Sequence, residues 1–221
     1  MSAPPRTGRV GEVAVDVQRR LEALYALEPE APVTEYLIAP SEVAHLPGGG
    51  SRTLVSQEGD VVRVGVVLDE ATNAHLEQAD PRERLDHANL GSFSTLTEEV
   101  SHFLYVLSRA RVERPLTRLE MELQAEVDKY LIALFFLGLQ NEGIVPIELR
   151  RILFERYRLK DGLSAESAAR YHAASRLARR YCRWLESHFL RGGRLADLAR
   201  EARRFWRLGQ REKLETIAAI H

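Results

Sequence analysis

PLTRLEMELQAEVDKYLIALFFLGL, residues 115–139, is the stretch on which the fold turns. Leu116, Leu119, Leu123, Val127, Tyr130, Leu131, Leu134 and Leu137 recur at three- and four-residue intervals, the period of a helix with one apolar stripe. Pro115 suits the first turn of such a helix, where a missing N–H costs no hydrogen bond, and Gly143 and Pro146 stop it. The apolar end, Leu131–Leu139, is the most hydrophobic run in the chain. Nine helical residues rise only about 14 Å, roughly half of a ~30 Å hydrocarbon core. The run reads as the middle of a folded core, not as a membrane span.

Working outward, the same period predicts helices over Val10–Leu27, Asp69–Gln78, Thr95–Arg111, Ile147–Tyr157, Ser164–Leu190, Leu195–Leu208 and Glu212–Ile220. Thr95-Leu96-Thr97-Glu98 has the spacing of a capping box and is read as opening the third of these. Pro29 and Pro32 end the first. After them Thr34–Ala39 is short and β-prone, and Arg52–Gln57 and Asp60–Leu68 read as a hairpin turning at Glu58-Gly59, with Val62, Val64, Val66 and Leu68 alternating onto one face. The expected fold is mainly α: a multi-helix bundle with a two- or three-stranded antiparallel sheet near the N-terminus. Residues 1–8 are expected to be flexible and 9–221 to form one helical domain, with the sheet inside 9–70 and the bundle in 71–221.

A chain of 221 residues, 45% hydrophobic and 29% charged, is long enough to bury one substantial core, which excludes wholesale disorder and fibrous repeats. The single cysteine, Cys182, excludes an internal disulfide and a Cys-based zinc site. With no apolar leader after Met1–Gly8, the chain is expected to be cytoplasmic. The formal net charge of −1 hides an asymmetry: residues 1–149 carry 13 cationic and 24 acidic side chains, and residues 150–221 carry 18 and 8. Such a split suits docking to charged partners. Two plainer readings compete: the halves neutralise each other across a folded interface, or arginine is the default solvent-facing cation, since 28 of the 31 cations are Arg.

Two constellations stand out. Glu99-Val100-Ser101-His102 is an ExxH, which puts a carboxylate and an imidazole one turn apart on one helix face. On the next helix Glu122, Glu126 and Lys129 form a stripe beside the apolar one. This set resembles, over about 30 residues, the carboxylate-bridged di-iron sites of ferritin-like bundles. The resemblance implies two ExxH pairs and two single glutamates on four helices. The predicted helices supply one such pair, and Glu186-Ser187-His188 has the wrong spacing. HExxH and HxxEH are absent, which excludes the zinc-protease orders. Glu99, His102, Glu122 and Glu126 are therefore read first as a structural polar network and second as an acid/base or metal site. No metal ligand or cofactor is assigned.

The second constellation is cationic. Arg176, Arg179, Arg180 and Arg183 share a helix, and Arg200, Arg203, Arg204 and Arg207 are interleaved with Phe205 and Trp206 on the next. Arginine with aromatics suits phosphate contact and base stacking, although no nucleic-acid-binding motif accompanies them. The functional expectation from sequence is a non-enzymatic assembly or adaptor protein that docks another protein or a second copy of itself and no membrane. A nucleic-acid binder through the eight arginines is the first alternative, and an enzyme with a Glu/His site between two helices the second.

Overall fold

The computed structural model describes residues 8–144, 146, 148–155 and 164–220. Among these, eight α-helices form a bundle: α1 (Arg9–Tyr25), α2 (Glu70–Gln78), α3 (Leu90–Arg111), α4 (Arg118–Gln140), α5 (Leu149–Glu155), α6 (Ala165–Leu185), α7 (Leu195–Arg207) and α8 (Gln210–Ala218). A three-stranded sheet lies between α1 and α2: β1 (Leu37–Ile38), β2 (Arg52–Glu58) and β3 (Val61–Val67), in the order β1-β3-β2. The mainly α expectation holds. The expected flexibility of residues 1–8 falls, Gly8 apart, outside the described residues, as do Ile147, Arg156 and Tyr157 of the predicted fifth helix.

α4 is the axis of the bundle and packs against both α3 and α6. It is buried on nearly every side, from Glu120 to Leu137, as a helix is when neighbours surround it. The side chain of Thr117 caps it by accepting from the Glu120 N–H at 3.1 Å. The helix therefore starts at Arg118, and Pro115 lies ahead of it. α3 carries the sheet on one side and α1 on another. Its first residue is Leu90, five positions before the predicted start, so Thr95 and Glu98 lie inside the helix and form no capping box. Thr97 is fully buried and donates its hydroxyl to the Phe93 carbonyl.

The sheet is mixed. β2 and β3 form the antiparallel hairpin, with Gly59 at φ 58° in the turn, while β1 runs parallel to β3 through Leu37–Val66 and Ile38–Val67. At Gly65 an added Cβ would fall on Ile38 Cδ1, so the end of that side chain would have to turn aside. α6 continues through a π-helical turn, Glu186–Leu190, in which the Arg191 N–H reaches back five residues to Glu186 O.

Beneath α1, α3, α4 and α8 lies a buried polar knot. Asp128 on α4 accepts hydrogen bonds from the Tyr25 hydroxyl, the Ser101 hydroxyl and Gln124 Nε2. Gln124 in turn accepts from Lys213 Nζ, which sits 4.6 Å from the centre of the Phe205 ring and 4.8 Å from that of Tyr105. All five polar side chains are sealed from solvent. Burial drives the Lys213 ammonium well below the ordinary lysine range and pushes the Asp128 carboxyl up to about 6, against the hydrogen bonds from Ser101, Tyr25 and Gln124 that lower it.

An acid whose folded pKa is raised holds its proton more tightly when folded. The stability it confers is complete below the unfolded value, near 3.8, and is lost as pH climbs towards about 6. Urea unfolding at about pH 4, 5 and 6.5 should show the wild type losing up to about 3 kcal/mol relative to Asp128→Asn across that window. A difference between the two proteins that does not change with pH would refute this assignment.

Candidate functional site

On the opposite flank of the α3–α4 seam the ExxH residues meet the glutamates of α4. His102 is 4% exposed and lies between two carboxylates, with Nδ1 3.6 Å from Glu99 Oε2 and Nε2 3.5 Å from Glu122 Oε2. Its Nε2 is sealed from solvent and makes no hydrogen bond at that separation. Burial alone would favour the neutral imidazole, but Glu122 and Glu99 outweigh it and push the pKa up to about 10. Glu99 is also held from the sheet: the Thr53 hydroxyl on β2 donates to Glu99 Oε2 at 2.9 Å.

One turn along, Lys129 Nζ bridges Glu98 Oε2 at 2.9 Å and Glu126 Oε1 at 2.6 Å. Burial opposes the ammonium, yet Glu126 and Glu98 keep its pKa above the usual lysine value. The Glu126 carboxyl is raised, first by burial and then by Glu98 and Glu122, with Lys129 pulling the other way. From α6, Arg170 Nε approaches Glu122 Oε1 at 3.9 Å. The Tyr171 phenol is raised by burial and by facing Glu122, Glu98 and Glu99. Glu98 and Lys129, with side chains 12% and 14% exposed, form the part of the cluster that reaches solvent.

The four residues singled out in the sequence thus converge. The sequence reading missed Glu98, taken for a helix cap, and the contributions of Thr53, Arg170 and Tyr171. Glu98 and His102 are four residues apart, a spacing that places them on one helix face and was available as a signal. Thr53 and Arg170 carry no such mark, because their proximity is tertiary. The expectation of a non-enzymatic chain is corrected at this point. Glu98, half-buried, and Glu99 and His102, both buried, bring ligand atoms within 4.8 Å of one another, an arrangement that suggests a catalytic or metal-binding site.

The arginines behave differently. Arg203 donates to the Leu24 and Ala23 carbonyls and Arg207 to that of Tyr25, so both occupy the C-terminal end of α1. Arg180 donates to the Ala218 carbonyl, at the last residue of α8, and to the Ile220 carbonyl beyond it. Arg179 pairs with Glu155, Arg200 with Asp197 and Arg204 with Glu201. Arg176 and Arg183 are exposed on α6. Cys182 is wholly buried, and burial pushes its thiol pKa up, away from the reactive thiolate.

A cavity of about 440 Å³ opens elsewhere, against Gly8, Ile38, Pro40 and Glu77, and shares no lining residue with the cluster. No described helix is long and apolar enough to cross a membrane. Compared with protein-family models, curated proteins and solved structures, the chain matches none.

Lys129→Met would leave the buried Glu126 and the half-buried Glu98 without their shared cation, and should cost about 3 kcal/mol in urea unfolding. Adding Glu126→Gln should recover part of that loss. A cost below about 1 kcal/mol would show that the bridge is idle.

Proposed function

We propose that the protein is a metal-dependent enzyme whose centre is one divalent ion held by Glu98, Glu99 and His102, with Glu122 beside it. The observation that carries this reading is His102, a buried imidazole with a carboxylate 3.5–3.6 Å from each ring nitrogen and no hydrogen bond at Nε2. Two ligand atoms that share an ion at about 2.1 Å and a near-tetrahedral angle stand about 3.4 Å apart. With Nδ1, which faces Glu99, as the ligating nitrogen, Nε2 would keep Glu122 to fix the ring, the usual outer-shell arrangement for a ligating histidine.

The charges agree. Glu98, Glu99, Glu122 and Glu126 bring four negative charges, and Lys129 and Arg170 return two. A divalent ion with a neutral imidazole balances the remainder, as a buried cluster requires. A donor set of carboxylates and imidazole without thiolate suits zinc, manganese or iron. Bound there, a divalent ion would supply Lewis-acid activation of water. Glu126, its carboxyl raised by burial, is the group placed to take a proton, and the Glu98–Lys129 side, where the cluster reaches solvent, is the side open to water.

Elemental analysis of the purified chain and titration with Zn²⁺, Mn²⁺ and Fe²⁺ test this. The expected result is close to one tightly held ion per chain, with a lower Tm after chelation. His102→Ala and Glu99→Gln should each weaken binding at least about 10- to 100-fold while far-ultraviolet circular dichroism stays unchanged. A chain that takes up none of these ions, or whose affinity neither substitution alters, would refute the reading.

A further inference from the structure

β2 is an edge strand, since the sheet order leaves it one neighbour, β3. The two-residue turn Gly59-Asp60, with glycine first and at positive φ, is the II′ geometry that closes on a doubly hydrogen-bonded pair, here Glu58 and Val61. In an antiparallel ladder such pairs alternate with pairs that turn their backbone groups away. Counting back from Glu58, the residues whose N–H and C=O face outward are Gln57, Val55 and Thr53. Among the described residues, none of those six groups has a hydrogen-bond partner.

Natural edges of this length carry a lysine, a proline, a bulge or a cover that blocks pairing. Between its ends β2 has none of the first three: Thr53-Leu54-Val55-Ser56-Gln57 is uncharged, and Val55 is 50% exposed. The strand is also self-complementary. Laid antiparallel on a second copy about a two-fold axis through Val55, it sets Arg52 against Glu58, Thr53 against Gln57 and Leu54 against Ser56. The outward residues then fall into three hydrogen-bonded pairs, Thr53–Gln57, Val55–Val55 and Gln57–Thr53, and all six outward groups on each copy are satisfied. A parallel or shifted register would leave some of those groups unmatched and bring Arg52 or Glu58 away from its opposite charge.

We propose that two copies of this chain associate through β2, joined antiparallel about Val55, so that two three-stranded sheets become one of six strands. Glu58 retains its Arg63 partner within the copy, at 2.7 Å, so the pair at each end of the junction becomes a three-charge group of Arg52, Glu58 and Arg63. The inference does not rest on the metal reading: the Thr53 hydroxyl holds Glu99, but the groups that pair here are backbone N–H and C=O groups.

Sedimentation equilibrium of the full chain from about 1 to 100 μM tests it. The expected species is twice the 25.1 kDa chain mass. Val55→Pro removes an N–H that points away from β3, a place where an edge strand tolerates proline. It should therefore leave the circular dichroism spectrum unchanged and shift the protein to monomer, weakening association at least tenfold. Arg52→Glu and Glu58→Arg should each weaken the dimer, and the double exchange should restore it. Val61→Lys, at an exposed position on β3 and off the outer edge, should leave it intact. A monomer throughout that range, a dimer indifferent to Val55→Pro, or a double exchange that restores nothing would overturn the proposal. If Val55→Pro unfolds the chain, Val55→Lys, which sets two like charges on the axis, replaces it with the same expected outcome.

Discussion

Five polar side chains at alternate positions of α4, Glu120, Glu122, Gln124, Glu126 and Asp128, are buried, and meeting their needs is the constraint from which the arrangement of the bundle follows. Alternate residues of a helix point in directions about 200° apart, so no single neighbour can serve them all. Glu120 draws Arg109 and Tyr105 from α3 and the Gln210 N–H from α8. Asp128 draws Tyr25 from α1 and Ser101 from α3, and Gln124 draws Lys213 from α8. Glu122 faces His102 of α3 and Arg170 of α6, while Glu126 shares Lys129, on α4 itself, with Glu98 of α3. Each partner fixes the rotation and height of the helix that carries it. An unpaired carboxylate in that position costs several kcal/mol, far more than most apolar contacts can offset.

The two flanks of the seam solve the problem in different ways. On the Asp128 side every atom finds a hydrogen bond from hydroxyl, amide or amine, and the ionisable groups drift towards neutrality under burial. On the Glu99 side charge is retained: Lys129 and His102 are both held on the cationic side of their ordinary range, and the ring nitrogens of His102 stand too far from their carboxylates for good hydrogen bonds. The first pattern belongs to a structural core. The second keeps positive charge where acidic groups converge, and that difference separates the candidate site from the polar knot behind it. Thr53 ties the site to the sheet, so the position of Glu99 depends on β2 as well as on its own helix.

The apolar periodicity of residues 116–137 and the alternation through Val62–Leu68 were enough to place the bundle and the hairpin, because both patterns are local. What escaped was set by tertiary neighbours. In MELQAEVDKY the apolar stripe of Leu123, Val127 and Tyr130 was legible, but the burial of the polar residues between them follows from α3, α6 and α8 arriving together. Thr95-Leu96-Thr97-Glu98 satisfied a capping pattern, yet Asn89 and Asp86 shape the chain first, with Asn89 Oδ1 accepting from the Asp86 N–H, and the helix begins at Leu90. Glu98 was thereby freed to meet Lys129. The pairing of β1 with β3 was illegible for a similar reason: a two-residue strand has too little pattern to fix its direction. At the site, spacing identified the ExxH and the α4 glutamates, but nothing in the sequence marked the threonine, arginine and tyrosine that complete their surroundings.

The attachment of Arg203 and Arg207 to the last carbonyls of α1, beside Trp206 stacked at 4.1 Å on Tyr25, joins segments about 180 residues apart in sequence. During synthesis at about 5–20 residues per second, α1 leaves the ribosome roughly ten to forty seconds before those side chains exist. Through that interval its open carbonyls and the ring of Tyr25 have no permanent cover, so the nascent protein must hold α1 in a provisional state until α7 has emerged.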